Sequence, residues 1–216
     1  MHRLLLSLIL NFSVAIPAVA GVIRFKQVIK RFYPFLFLVW LGLFNESLSL
    51  AMIYTTGGNA VNGNLYVFIE FLLILWQFYR WNTRRLAIYM VAAMLGAMVW
   101  IADNFILNTI FQNNSLFRTF YSFVVLLFGI DQISKLTVFV SCNLLKNAIF
   151  IICIAFVFYY GCKAFVEMNN AMHTGLPPHI LANFWTTMSF VNALSNIFYA
   201  IAILCIPSRE EFMLPF

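Results

Sequence analysis

Apolar stretches of about twenty residues alternate with short polar connections along the whole chain. A helix needs about 20 apolar residues to cross the roughly 30 Å hydrocarbon core of a bilayer. The pattern therefore predicts an all-α polytopic membrane protein, a seven-transmembrane-helix bundle that forms a single domain over residues 1–216. We place the spans at about 3–23, 33–55, 64–81, 85–108, 116–136, 147–168 and 181–206.

The composition agrees with this architecture. Of 216 residues, 63% are hydrophobic and 9% are charged, whereas a soluble domain carries about 25% charged residues. The formal net charge of +6 does not indicate nucleic-acid binding, because in a membrane protein the position of the cations relative to the spans decides their meaning. We therefore expect the lipid bilayer, and not nucleic acid, as a partner of the chain.

Lysine and arginine are distributed unequally between the two ends of the predicted bundle. Arg3, Arg118 and Lys163 fall at or near one end, and the other ten of the thirteen fall at the opposite end. Since cytoplasmic loops are enriched in these residues, the sequence predicts an N-terminus outside and a C-terminus inside. The ten residues that define this basic end are Arg24, Lys26, Lys30, Arg31, Arg80, Arg84, Arg85, Lys135, Lys146 and Arg209.

The third predicted span contains one carboxylate, Glu70, well inside its apolar run. Tyr66, Glu70 and Gln77 fall on one stripe of a helix with about 3.6 residues per turn. An ionisable side chain at that depth costs free energy in lipid. The stripe should therefore face a bundle interior, a partner charge or a water-filled cavity.

Three other spans place charged or amide side chains at the depth of Glu70. At about 1.5 Å per residue, all lie about 7–14 Å below the outer edge of the bundle. We therefore predict an outward-facing polar pocket for a small polar or cationic ligand, since its carboxylates outnumber its cation. The alternative is a set of buried pairs that only fix helix register. The candidate ligand-binding residues are Glu46, Glu70, Asp103, Lys163, Asn45, Asn104, Asn192 and Tyr66.

Two further polar features lie in the last three spans. Asp131 is near the inner end of the fifth span, and Lys135 follows one helical turn later, so we expect the two to pair. The seventh span carries a polar and aromatic stripe on one helical face, which is typical of contacts between membrane helices. Its members are Trp185, Ser189, Asn192, Asn196 and Tyr199.

The sequence predicts no cofactor and no metal site, and it identifies no catalytic residue. A retinal protein needs a lysine in its last helix for the Schiff base, and residues 181–206 contain none. The three histidines lie outside the predicted spans, whereas a catalytic zinc wants three protein ligands. Paired carboxylates could still act as acid and base on a lipid, so enzymatic activity stays open.

Three segments carry a resemblance to a known group of proteins. They are Asn64-x-Tyr66-x-x-x-Glu70-Phe71, the Trp76…Phe78-Tyr79 end of the same span, and Ile101-Ala102-Asp103-Asn104-Phe105. With these segments the chain resembles, over its whole length, a group of small bacterial seven-transmembrane-helix membrane proteins. The resemblance implies the topology and a bacterial inner (cytoplasmic) membrane. It implies no activity and no site residues.

The preferred hypothesis is a receptor-like binding or sensor protein embedded in the membrane. Its connections are too short to hold an effector, so it would act through a membrane or cytoplasmic protein partner. The alternatives are a proton-coupled transporter, a carboxylate-based lipid-acting enzyme and a structural subunit of a larger membrane complex. A transporter would use Glu70 and Asp103 and needs a polar path continuing inward, for which Gln77, Asn196 and Asp131 are the candidates.

Overall fold

The computed structural model describes residues 2–139, 144–172 and 177–208, and the regular structure in these ranges is helical. Within them, seven segments are long and apolar enough to cross a membrane, as in an integral membrane protein. The prediction of an all-α chain with seven such helices is therefore confirmed. The segments are Leu6–Gln27, Lys30–Thr56, Ala60–Trp81, Thr83–Leu107, Leu116–Val138, Ala148–Ala171 and His179–Cys205.

The α-helices are numbered in chain order over the described residues. They are α1 (His2–Asn11), α2 (Ala15–Arg24), α3 (Tyr33–Thr56), α4 (Ala60–Trp81), α5 (Leu86–Ile101), α6 (Leu116–Phe139), α7 (Ala148–Ala171) and α8 (Pro178–Cys205). A 3-10 turn, Phe12–Val14, joins α1 and α2 into one span. The π-helix Ala102–Leu107 extends α5. Hydropathy predicts two uninterrupted helices here, because it measures the length of a span and not its hydrogen-bond pattern.

Local sequence explains where several helices begin and end. Pro34 lies in the first turn of α3, where a missing backbone N–H costs nothing. Gly57 ends α3 in the left-handed conformation, with φ at 75°. The side chain of Asn147 accepts hydrogen bonds from the backbone N–H groups of Ile149 and Phe150 at the start of α7.

α7 lies at the centre of the bundle and α5 at its edge. In the most apolar window of each span, 56% of residues are buried in α7 and 17% in α5. α7 packs mainly against α6 and α8, and α3 packs against α4. The charged residues of α7 therefore face protein, while α5 presents an apolar surface suited to lipid.

An aromatic layer closes the middle of the bundle on the side of the basic end. It consists of Phe35, Phe78, Phe156 and Tyr199. The ring centroids of Phe35 and Tyr199 lie 5.4 Å apart, and Phe156 contacts Phe78 at 6.0 Å and Tyr199 at 5.8 Å. All three phenylalanines are buried. These edge-to-face contacts pack the four rings against one another.

The basic end is held together by hydrogen bonds to helix termini. Arg24 donates to the carbonyls of Ile203, Leu204 and Ile206 at the end of α8. Cations at a helix C-terminus satisfy its last carbonyls and complement the helix dipole. Arg24 is therefore structural as well as being part of the charge bias.

Gln77 and Asp131 also lie near the basic end. The buried Gln77 amide accepts from the backbone N–H of Phe35 at 2.8 Å and donates to the carbonyl of Arg31 at 3.0 Å. Asp131 pairs with Lys135, as predicted, and with Arg85 at 3.2 Å. Arg209, which the sequence assigns to this end, lies outside the described residues.

Candidate functional site

Three adjoining cavities lie inside the bundle, with the largest toward the end away from the basic end. Their volumes are about 600, 180 and 90 Å³. Asn11 of α1 and Glu46 of α3 line all three. The 600 Å³ cavity also reaches Asn59 and Asn113 in the connections between helices, so it lies at the end of the bundle. The largest of these polar cavities thus lies at the end of the bundle opposite the basic end, while its facing outward and its binding of a ligand stay predictions.

Glu46 is the one carboxylate that lines all three of these cavities. Its side chain is partly buried, and it makes no hydrogen bond or ion pair with any residue that the structure describes. Tyr66, Tyr159 and Trp185 each line two of the three cavities. An unpaired carboxylate near aromatic side chains is the combination that attracts organic cations.

Glu70, which lines the 90 Å³ cavity together with Glu46, is fully engaged. Its Oε1 accepts a hydrogen bond from the Tyr66 hydroxyl at 3.0 Å, and its Oε2 accepts one from the Tyr121 hydroxyl at 2.6 Å. The Lys163 ammonium lies 3.6 Å from Oε2 and donates to the Tyr121 hydroxyl. We call Tyr66, Glu70, Tyr121 and Lys163 the Glu70 cluster.

Lys163 is held by aromatic faces as well as by Glu70. Its Nζ lies 4.9 Å from the ring centroid of Tyr121, 5.4 Å from that of Tyr159 and 5.7 Å from that of Tyr160. Only 9% of the lysine is exposed. Opposite charges, two tyrosine hydroxyls and three ring faces therefore compensate the loss of hydration of both charges.

A second ion pair, between α6 and α7, lies beside the cavities. Arg118 Nη1 is 3.7 Å from Oε1 of the buried Glu167, and the Ser115 hydroxyl donates to Oε2 of Glu167 at 2.7 Å. Arg118 Nη2 donates to the side-chain oxygen of Asn64 at 3.2 Å. Arg118 and Glu167 both line the 600 and 180 Å³ cavities.

Six of the eight candidate residues surround these cavities. Glu46, Glu70, Lys163 and Tyr66 are described above. Asn192 lines the 180 and 90 Å³ cavities. Asn45 lines the 600 Å³ cavity and accepts a hydrogen bond from Asn62 at 2.8 Å.

The other two candidates, Asp103 and Asn104, do not line these cavities. Asp103 Oδ2 accepts from the backbone N–H of Phe117 at 2.8 Å, and its Oδ1 accepts from the Asn108 amide at 2.9 Å. Asn104 accepts from the Asn114 amide at 3.0 Å. The expectation that both residues join the pocket therefore differs from the structure, because their depth along the helix does not fix their direction around it. They hold the connection between α5 and α6.

Sequence reasoning missed Glu167, Arg118, Tyr121 and Tyr159 as site residues. Glu167 lies beside the predicted end of its span, and α7 continues to Ala171. Tyr159, Lys163 and Glu167 follow the spacing i, i+4, i+8, which puts them on one face of a helix. That spacing was the signal that could have found the ion pairs. The tyrosine hydroxyls gave no signal, because aromatic residues are common on every face of these spans.

Within the described parts of the chain, no group of three or more histidine, cysteine, aspartate or glutamate residues could hold a metal ion. The site is thus a set of mixed charges around a polar space, with Glu46 unpaired at its centre. Compared with protein-family models, with curated proteins and with solved structures, the chain shows no significant match.

Proposed function

We propose that the protein is a membrane-embedded binding protein whose pocket faces outward and takes a small organic cation, with the cationic group on Glu46. The observation that carries this proposal is the Glu46 carboxylate itself. It borders all three cavities and has no partner among the described residues. A carboxylate withdrawn partly from water gains more from a bound cation than an exposed one does.

The charges around the cavities support a cationic ligand. Three carboxylates and two cations line them, and Glu70 and Glu167 are each paired with one of those cations. The pairing leaves Glu46 as the one carboxyl group among the described cavity-lining residues without a cation partner. A ligand without a cationic group would leave this carboxylate unpaired.

The aromatic lining favours an organic cation over a metal ion. Tyr66, Tyr159 and Trp185 line the cavities together with Glu46. A cation over an aromatic face gains about 0.5–2 kcal/mol. Hard metal ions such as Ca²⁺ instead take six to eight oxygen ligands, and Glu46 is the one unpaired carboxylate among the described cavity-lining residues.

The side-chain packing near the basic end supports binding or sensing rather than transport. The aromatic layer lies between most of the cavity space and the basic end. The Gln77 amide is hydrogen-bonded to backbone groups of α3 and of the turn that precedes it. Asp131 is held in surface ion pairs. The polar path that a proton-coupled transporter needs is thus interrupted at two of its three candidate residues.

The positive-inside rule places the basic end in the cytoplasm and the cavities outside, in the setting of a bacterial inner membrane. Sensing would then require a partner, because the connections that the structure describes at the basic end are short. We expect that partner to contact the basic end, which carries exposed cations such as Lys26, Lys30 and Arg84.

The test is a binding assay on the full chain in lipid nanodiscs. The probes are ethanolamine, choline, putrescine, tetramethylammonium and guanidinium, with sodium and potassium as inorganic references. Binding is read by calorimetry and by thermal stabilisation, which amounts to about 2.7 kcal/mol at a ligand concentration of 100 Kd. At least one organic cation should bind more tightly than sodium or potassium.

Glu46→Gln keeps the shape of the side chain and removes its charge. We expect it to weaken binding at least about tenfold, or about 1.4 kcal/mol. Asp131→Asn is the matched control, because it removes one carboxylate near the basic end. Equal affinity of Glu46→Gln and the native chain would refute the proposal, as would the absence of binding for every organic cation.

A further inference from the structure

We infer that the ligand of this cavity is a zwitterion, whose ammonium group binds Glu46 and whose carboxylate or phosphate group binds Arg118. The inference rests on the proposed function and deepens it, since it adds a second charged group to the organic cation. The observation behind it is the guanidinium group of Arg118, most of whose N–H donors have no acceptor among the described residues.

Arg118 has far more hydrogen-bond capacity than the protein uses. A guanidinium group has five N–H donors, and the Arg118 side chain makes one hydrogen bond with the described residues, from Nη2 to Asn64. Its Nε is buried and has no partner among them. Buried guanidinium groups normally form two parallel bonds to a carboxylate or phosphate.

Glu167 does not supply those two bonds. Its Oε1 is 3.7 Å from Arg118 Nη1, which is beyond hydrogen-bond distance. Its Oε2 accepts from Ser115 at 2.7 Å, so the carboxylate is turned toward the start of α6. Glu167 thus compensates the charge of Arg118 while leaving its donors open.

The backbone around Arg118 leaves space for the guanidinium group at the cavity wall. A Cβ atom at Gly63 would lie 3.0 Å from Arg118 Nη2, closer than ordinary van der Waals contact. Gly63 itself lines the 600 Å³ cavity. A side chain at this position would require the guanidinium group to shift by a few tenths of an ångström.

Lys163, the other cation that lines the cavities, already has partners in the protein. It pairs with Glu70 and donates to Tyr121. Arg118 is therefore the cation with open donors, and Glu46 is the anion without a partner. Both line the 600 and the 180 Å³ cavities. One ligand with both kinds of charge would satisfy both side chains.

The test compares matched ligands that differ in the acidic group. Each L-amino acid is paired with the amine that its decarboxylation gives, and phosphoethanolamine is paired with ethanolamine. Affinities are measured by calorimetry on the full chain in nanodiscs. In the native chain, the best zwitterion should bind at least about tenfold more tightly than its amine. Preference for amino acids indicates a free solute, and preference for phosphoethanolamine indicates a lipid headgroup.

Three variants separate this inference from the proposed function. Arg118→Gln should remove the advantage of the zwitterion over its amine, because the group that binds the acidic end is lost. Amine affinity should not fall, since the change leaves the Glu167 carboxylate without its cation. Arg118→Lys should restore part of the difference. Gly63→Ala should act in the same direction without removing a charge, which covers a failure of Arg118→Gln to fold. If each amine binds as tightly as its zwitterion, or Arg118→Gln and Gly63→Ala weaken both ligands equally, the inference is wrong and the proposed function survives. If neither ligand of any pair binds, both are wrong.

Discussion

Replacing Glu70 by glutamine should destabilise the protein strongly, although the two side chains have the same shape. Glu70 is 5% exposed and Lys163 is 9% exposed, so the change leaves a buried ammonium group without its counter-charge. Breaking a buried ion pair from one side costs about 3–5 kcal/mol. The two tyrosine hydroxyls also lose a charged acceptor, and hydrogen bonds to charged groups are worth about 1 kcal/mol more than neutral ones. The expected loss is therefore about 3–5 kcal/mol or somewhat more, a large share of the total stability of a domain.

The free energy of unfolding can be measured by reversible SDS titration in mixed micelles, followed by far-UV circular dichroism. Lys163→Met on the Glu70→Gln background removes the stranded cation and keeps an apolar stem of similar length. We expect the double variant to be at least about 2 kcal/mol more stable than the sum of the single changes predicts, in the range of couplings between contacting residues. The reasoning fails if Glu70→Gln costs under about 1 kcal/mol, or if the two changes are additive within about 0.5 kcal/mol.

Three further changes test the structural assignments by the same titration. Asp103→Ala removes the hydrogen-bond acceptor at the start of α6. It should lower the free energy of unfolding by about 2–3 kcal/mol, because the helix cap is lost and a buried N–H is left without a partner, while cation binding stays intact. Loss of cation binding at unchanged stability would contradict the structural role. Gly96→Ala places a Cβ against the fully buried ring of Phe71 and should lower the free energy of unfolding by about 1–3 kcal/mol. Gly58→Ala is the control, because the space around Gly58 is open, and its effect should stay within about 0.5 kcal/mol. Equal effects of the two changes would contradict the packing around Gly96. Arg85→Ala breaks a pair whose side chains are 44% and 39% exposed and should cost under about 1 kcal/mol, so a loss above 2 kcal/mol would be inconsistent with its surface position.

The spans could be read from the sequence because a bilayer imposes their length. The predicted spans 33–55 and 116–136 correspond to Tyr33–Thr56 and Leu116–Phe139. The Asp131–Lys135 pair was predictable for a similar reason, since it depends only on spacing within one helix. The 3-10 turn after α1 and the π-helix after α5 were not predictable, because each changes the backbone hydrogen bonding without changing the length of the apolar span.

The site was only partly predictable, because depth along a helix is easier to read than direction around it. Glu46, Glu70 and Lys163 do meet around one space. Asp103 lies at a similar depth but turns toward the connection that follows it. Glu167 was missed because a charged residue at the edge of an apolar run looks like the end of a span. The sequence could not show that Glu46 is the carboxylate without a partner, because this depends on contacts between segments that are distant along the chain.

The most direct test of the account is an experimental structure of the full chain in lipid nanodiscs with the tightest-binding organic cation from the assay. The account predicts density for that cation among Tyr66, Tyr159 and Trp185, with its charged group within hydrogen-bonding or ion-pairing distance of the Glu46 carboxylate. It also predicts that the aromatic layer below stays closed. A cation bound elsewhere, or a Glu46 side chain paired with a protein cation while the cavities are filled by neighbouring side chains, would contradict the central claim.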